Sequence, residues 1–231
     1  MSWTDTKSIK VIKFLRDKYK IRNFIETGTY VGVNAELHSK NFECVHTVEK
    51  VEEYYDKAVR RLFEYDNILL ALASSIDWLK WVVKYYSDSM VYLDAHFYDP
   101  KMPKGKGKFV ILDELKSLKD YKGPIIIHDF DNGLGHIVYD DISLDMNLLR
   151  PGLKGVNPNF HYYTNELSSC DIVKLDRKSI KEAGLPYDKE VRDNLVYAWK
   201  EGRLTYRGIL YCLPKPLTKK EMLELGLKKW N

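Results

Sequence analysis

The chain has 231 residues, 45% of them hydrophobic and 30% charged, a globular balance that excludes a disordered chain, a collagen-like repeat and a coiled coil. Its net charge of +4 comes from 37 basic and 33 acidic residues mixed along the chain, without the basic stripe of a nucleic-acid binder, and argues against that partner class. No apolar run approaches the ~20 residues of a membrane span, and the opening MSWTDTKSIKVIKF lacks the apolar stretch of a secretory signal. Three cysteines, Cys44, Cys170 and Cys212, show no CxxC spacing. They fit reduced thiols in a cytoplasmic protein better than a disulfide frame or a zinc site.

Thr6 to Tyr19 reads as an amphipathic helix, with Ile9, Val11, Ile12, Phe14 and Leu15 near helical spacing. Asn23 to Glu26 is a short apolar strand that stops at Thr27-Gly28. A short helix over Val33 to Lys40 and an alternating strand over Glu43 to Glu49 follow. Glu52 to Phe63 reads as a helix. Ile68 to Ala73 (ILLALA) reads as a strand covered on both faces, and Ser75 is placed to cap a helix to about Tyr86. Met90 to Asp94 is the next strand. A Lys-, Pro- and Gly-bearing loop leads to a helix near Phe109 to Tyr121, and Gly123-Pro124 opens a buried strand, Ile125 to Asp129.

Strands and helices alternate five times over about 130 residues, which points to a mostly parallel sheet with helices on both faces. After Asp131 the pattern loosens. There is a helical hint over Ile142 to Leu149, and strand candidates at Phe160 to Tyr163 and Asp171 to Leu175. A helix near Lys189 to Glu201, a last strand over Tyr206 to Leu213 and a closing helix over Lys219 to Lys228 complete the reading. No internal repeat or domain boundary is visible.

The most informative stretch is Glu26-Thr-Gly-Thr-Tyr-Val-Gly32, between the first strand and the next helix. Gly28 allows a sharp turn and close approach of a ligand. The first such turn of a doubly wound sheet is where nucleotide-like ligands bind. Glu49 stands 21 positions after Gly28, at the end of the second strand, where an acid can accept both hydroxyls of a ribose.

Taken together, these residues resemble the acidic-x-Gly-x-Gly-x-Gly loop and ribose acid of the class I S-adenosylmethionine-dependent methyltransferases, over residues 20–130. Tyr30 replaces the family's middle glycine. The resemblance implies a Rossmann-like, doubly wound, seven-stranded, mostly parallel α/β sheet. It implies one domain over 1–231, with a cofactor-binding core at 1–131 and an elaborated substrate side at 132–231. It also implies S-adenosyl-L-methionine as cofactor. Glu26 would then sit near the cofactor's amino group, with Thr27, Gly28, Thr29, Tyr30 and Gly32 along the loop around it. Glu49 would hold the ribose, Ser74 and Ser75 (or Asp77) would lie beside the adenine, and Asp94 would face the methionine end and the substrate.

Two strand ends carry further polar groups, Leu93-Asp-Ala-His-Phe97 and Ile127-His-Asp-Phe-Asp131. With the fourth and fifth strands adjacent, Asp94, His96, His128, Asp129 and Asp131 could share one site. Carboxylates so close repel unless a cation or a proton lies among them. Oxygen ligands with an imidazole suit Mg²⁺, Mn²⁺ or Fe²⁺. By resemblance to metal-dependent O-methyltransferases, Asp94 and Asp129 would be ligands, with Asp131 one position beyond the family's third. A metal-free arrangement would use Asp94 or His96 as base and His128 or Asp129 to orient the substrate.

The expected activity is O-methylation of a small hydroxyl compound such as a sugar, by a protein that could self-associate. Two alternatives stay open. One is a metal-dependent nucleotide-sugar transferase using Asp94-Ala-His96. The other is a non-catalytic binding module on a methyltransferase scaffold. Phe97, Tyr98, Tyr162 and Tyr163 are candidates for pocket walls, and Lys101, Lys104 and Arg150 for contact with an anionic substrate.

Overall fold

A computed structural model describes residues 6–95, 110–133, 143–166 and 208–231. Five helix–strand pairs come first: α1 (Thr6–Tyr19), β1 (Asn23–Thr27), α2 (Val33–Ser39), β2 (Cys44–Glu49), α3 (Glu52–Leu62), β3 (Ile68–Leu72), α4 (Ser75–Tyr85), β4 (Ser89–Leu93), α5 (Ile111–Ser117) and β5 (Ile125–Phe130). Then come α6 (Met146–Val156), β6 (His161–Asn165), β7 (Gly208–Leu213), α7 (Lys219–Leu225) and β8 (Leu227–Trp230).

The strands form one sheet in the order β3-β2-β1-β4-β5-β7-β6-β8. The pairs from β3 through β5 are parallel. β7 runs antiparallel between β5 and β6, and β8 antiparallel to β6. Order reverses at β1/β4, which opens a crevice at the strand exits.

Each face of the sheet has its own core. Ile25, Val91, Leu93, Ile125 and Ile127 point toward α4, α5 and α6, meeting Leu79, Ile111, Leu115 and Leu149. Phe24, Val45, Met90 and Ile126 point the other way, toward Ile12, Leu15, Ala35, Leu62 and Leu225 of α1, α2, α3 and α7. This is the period-two alternation of strands covered on both sides.

Four readings change. The sheet has eight strands among the described residues, because Gly226 at φ 64° ends α7 and residues 227–230 turn into an edge strand in place of more helix. β3 is the opposite edge, with Leu69 and Leu72 exposed, so its apolar run is not covered on both faces. Ser74, not Ser75, is the N-cap of α4, and its side chain makes no capping bond. The helix expected near 142–149 runs from 146 to 156 and includes Pro151. Burial of Leu149, Leu153 and Val156 holds it despite the missing N–H. The strand expected at 171–175 and the helix at 189–201 lie outside the described residues.

Candidate active site

The turn after β1 is shaped by its backbone. Gly28 (φ 81°), Tyr30 (φ 52°) and Gly32 (φ 84°) all take left-handed angles. A Cβ on Gly28 would stand 2.5 Å from the Asp94 carbonyl oxygen, so only a glycine lets the β1 exit lie against the β4 exit. A Cβ on Gly32 would meet Leu62 of α3 at 2.9 Å.

Glu26 is fully buried at the end of β1. Its Oε1 accepts from Asn34 Nδ2 at 2.7 Å, and its Oε2 accepts from Thr47 Oγ1 at 2.7 Å. Thr47 Oγ1 also lies 2.6 Å from Thr29 Oγ1. Burial pushes the Glu26 carboxyl up to about 8, against the lowering effect of its two hydrogen bonds; the charges of Asp94 and Glu49 add to the rise.

Glu49 closes the other side. Its Oε2 accepts from Tyr30 N at 2.8 Å, and its Oε1 from Lys50 N and Val51 N, each at 2.9 Å. Three backbone donors thus orient the carboxylate and leave about one of its four lone-pair sites for a ligand hydroxyl. The Tyr30 ring is turned onto Tyr54 of α3, with ring centroids 4.7 Å apart.

The polar strand ends also meet. β4 and β5 are neighbours, and His128 Nδ1 lies 3.2 Å from Asp94 Oδ1 and 3.3 Å from Asp129 Oδ1. All three side chains are buried. Successive strand residues would ordinarily point to opposite faces. Here the ladder to β7 shifts register between Ile127 and Phe130, and Asp129 takes φ 56°. Such an irregularity re-aims side chains, so that 128 and 129 reach one site. Asp131 lies apart from this group: its Oδ1 accepts from Gly133 N at 3.0 Å. His96, Phe97, Tyr98, Lys101 and Lys104 lie outside the described residues.

Ligand atoms of Asp94, His128 and Asp129 lie within 4.8 Å of one another. Two carboxylates and one imidazole fit a hard or borderline divalent cation.

Ser75 sits at the start of α4 and is buried. With Thr27 it acts on a carboxyl not anticipated from the sequence, that of Glu114 on α5, which burial pushes up to about 7. Glu114 is fully buried beside Ile111, Leu115 and Leu118, on the apolar face of its helix. A glutamate on that stripe was the available signal. Asn34 and Thr47, which hold Glu26, were also missed. Thr47 is the cross-strand partner of Glu26 in the parallel β1/β2 ladder. Tyr163 is buried in the core, and its Oη accepts from Leu217 N at 2.8 Å. Arg150 lies over the Tyr162 ring and donates to Asn231 O.

No family model matches the chain, and no curated protein matches it. Solved structures do. Phosphoethanolamine N-methyltransferase 2 of Haemonchus contortus, in complex with S-adenosyl-L-methionine, superposes with a TM-score of 0.55 at 13% identity, over 91% of this chain and 52% of that one. Human methyltransferase-like protein 13 with S-adenosylhomocysteine (SAH) gives 0.53 at 16% identity, over 97% and 90%.

The chain has the class I methyltransferase fold.

The plantazolicin methyltransferase BamL, in complex with a triazolic desmethylPZN analog and SAH, agrees with that assignment at a TM-score of 0.51 and 15% identity, over 92% of this chain and 86% of that one. The chain spans about half the length of the Haemonchus contortus enzyme. The loop at 26–32 meets Glu49 through Tyr30 N and lies against the Asp94 carbonyl at Gly28.

Proposed function

We propose that the chain transfers a methyl group from S-adenosyl-L-methionine to an oxygen of a small hydroxyl compound, such as a sugar. The observation that carries this reading is the convergence of Glu26, Glu49 and Asp94 around the Gly28 turn, pressed against the β4 exit. Three acids in that arrangement suit a ligand with an ammonium, a ribose and a sulfonium. Glu26 takes the amino group, Thr27, Gly28, Thr29, Tyr30 and Gly32 form the cradle, and Glu49 takes the ribose. Ser74 and Ser75 border the adenine, and Asp94 faces the methyl end.

Methyl transfer is an in-line displacement in which the oxygen–carbon bond forms as the carbon–sulfur bond breaks. The chain must hold the acceptor oxygen about 3 Å from the methyl carbon and accept its proton. His128 is suited to the proton. With Nδ1–H directed at Asp94 and Asp129, Nε2 is the basic nitrogen, and the two carboxylates stabilise the imidazolium that forms. Asp94, Asp129 and His128 are also the residues that would hold a divalent cation. Such an ion, when bound, would supply orientation and a lowered pKa for the acceptor hydroxyl. Free thiols at Cys44 and Cys212 support a cytoplasmic setting. Among the described residues no helix is long and apolar enough to cross a membrane.

Calorimetric titration with S-adenosylmethionine and SAH, with and without Mg²⁺, tests the reading. Micromolar binding is expected, tightened by Mg²⁺ if the acidic cluster holds the ion. No binding at millimolar ligand would overturn it, and binding of a nucleotide-sugar instead would favour a glycosyl-transfer chemistry.

A further inference from the structure

Among the described residues β3 is an open edge: it pairs with β2 alone. Asn67 O accepts from Val45 N and Ala73 N donates to Glu49 O, so alternation turns the N–H and C=O of Leu70 and Leu72 away from β2. An exposed apolar edge is a template for another strand, and proteins ordinarily blunt it with Lys, Pro or a bulge. Between positions 67 and 76 this chain has no charge, no Pro and no Gly.

The surroundings are apolar too. Among the described residues, seven of the eight large exposed hydrophobic side chains lie between 51 and 85. Ile68 and Leu70 pack toward α3, so Leu72 shares that face, where Val59 and Phe63 are exposed. Leu69 points to the α4 face, where Trp81 is 54% and Tyr85 68% exposed, their rings 4.9 Å apart. A patch of this kind on both sides of an open strand marks an interaction surface.

We propose that this edge is the interface of a homodimer, in which two copies pair antiparallel through β3 about a two-fold axis at Leu70 and continue the sheet across it. In that register Leu70 faces the partner's Leu70, Ile68 faces the partner's Leu72, and Leu69 faces the partner's Ala71.

Charge decides for a second copy. α3 begins with Glu52 and Glu53 and ends with Arg60 and Arg61; α4 has Asp77 in its first turn and Lys84 in its last. A two-fold axis sets each helix antiparallel to its counterpart, acidic end beside basic end. An isologous interface needs this self-complementarity. The uncharged strip at 67–76 places no like charges opposite each other. The inference does not depend on the chemistry at the strand exits.

Sedimentation equilibrium of the full chain over a concentration series tests the proposal. The expected mass is twice that of the protomer. Leu69→Lys and Trp81→Lys, both at exposed positions, are expected to raise the dimer dissociation constant at least tenfold with an unchanged far-ultraviolet circular dichroism spectrum. Leu223→Lys, at a more exposed position on α7, is expected to leave it unchanged. Hydrogen exchange is expected to protect the Leu70 and Leu72 amides in the wild type and release them in Trp81→Lys. A wild type at protomer mass at every concentration overturns the proposal and leaves the edge to a different protein. A dimer that neither edge substitution weakens overturns it as well.

Discussion

The backbone N–H of Tyr30 donates to Glu49 Oε2 at 2.8 Å, tying the turn after β1 to the end of β2. The residue that departs from the glycine-rich pattern thus serves the site through its main chain. Its ring is directed onto Tyr54, at the foot of α3.

Glu49→Ala should weaken S-adenosylmethionine binding by about 1–2 kcal/mol, roughly 5- to 30-fold, the scale of lost charge-assisted hydrogen bonds. Glu49→Gln should lose less, since an amide still offers one acceptor. Titration calorimetry checks both; an unchanged affinity in the alanine variant would remove Glu49 from the ribose.

Gly28→Ala forces a Cβ to within 2.5 Å of the Asp94 carbonyl oxygen at a left-handed φ of 81°. A strained position of this kind costs about 1–3 kcal/mol. The melting temperature should fall by several degrees, and cofactor binding should weaken because the β1 and β4 exits separate. Gly155, with nothing near its added Cβ, gives the control: Gly155→Ala should be tolerated.

Glu26 should make stability depend on pH. Its carboxyl is raised in the fold to about 8 from an ordinary 4.5, chiefly by burial. The folded protein therefore holds a proton that the unfolded chain has released, and this contribution is lost as pH rises from 4.5 through 8. An ammonium beside Glu26 favours the ionised form, so ligand binding should release a proton and tighten toward pH 8. Melting curves against pH, with and without SAH, read both effects. Glu26→Gln should flatten the unliganded profile over that window, and a slope that persists in the variant would assign it to another group.

His38 should act at the acid end. Its ring stacks on Phe24 at 4.3 Å between centroids and lies edge-on to Phe42. Burial, with help from the Lys13 charge, lowers it to about 3. The unfolded chain protonates this residue first, so stability present above pH 6.5 is lost as pH falls toward 3. His38→Leu should reduce that acid sensitivity in urea melts. His46, lowered by burial to about 4, accounts for part of what remains.

His128→Asn should lower kcat by about 10²–10⁴, the range for loss of a general base, while SAH still binds. A variant with wild-type kcat would remove His128 as the base and leave that role to Asp94 or His96.

The alternation of short apolar strands with amphipathic helices over residues 6–130 was legible because periodicity and glycine placement are local properties of the chain. So were the turn at Gly28 and the acids at 26, 49 and 94, since each ends a strand in a regular βα order. Neighbouring β4 and β5 followed from that order, and with it the meeting of Asp94 with His128. The rest depended on the assembled sheet. Glu114 is buried against the site because α5 packs its whole apolar stripe inward. His128 and Asp129 point the same way because pairing with β7, some 80 positions away in the chain, shifts register beside them. Leu69 is exposed, although it sits in an unbroken apolar run, because β3 has, among the described strands, one neighbour and not two. Hydrophobicity determines that a segment becomes a strand; only the number and identity of the strands beside it decide what its side chains touch.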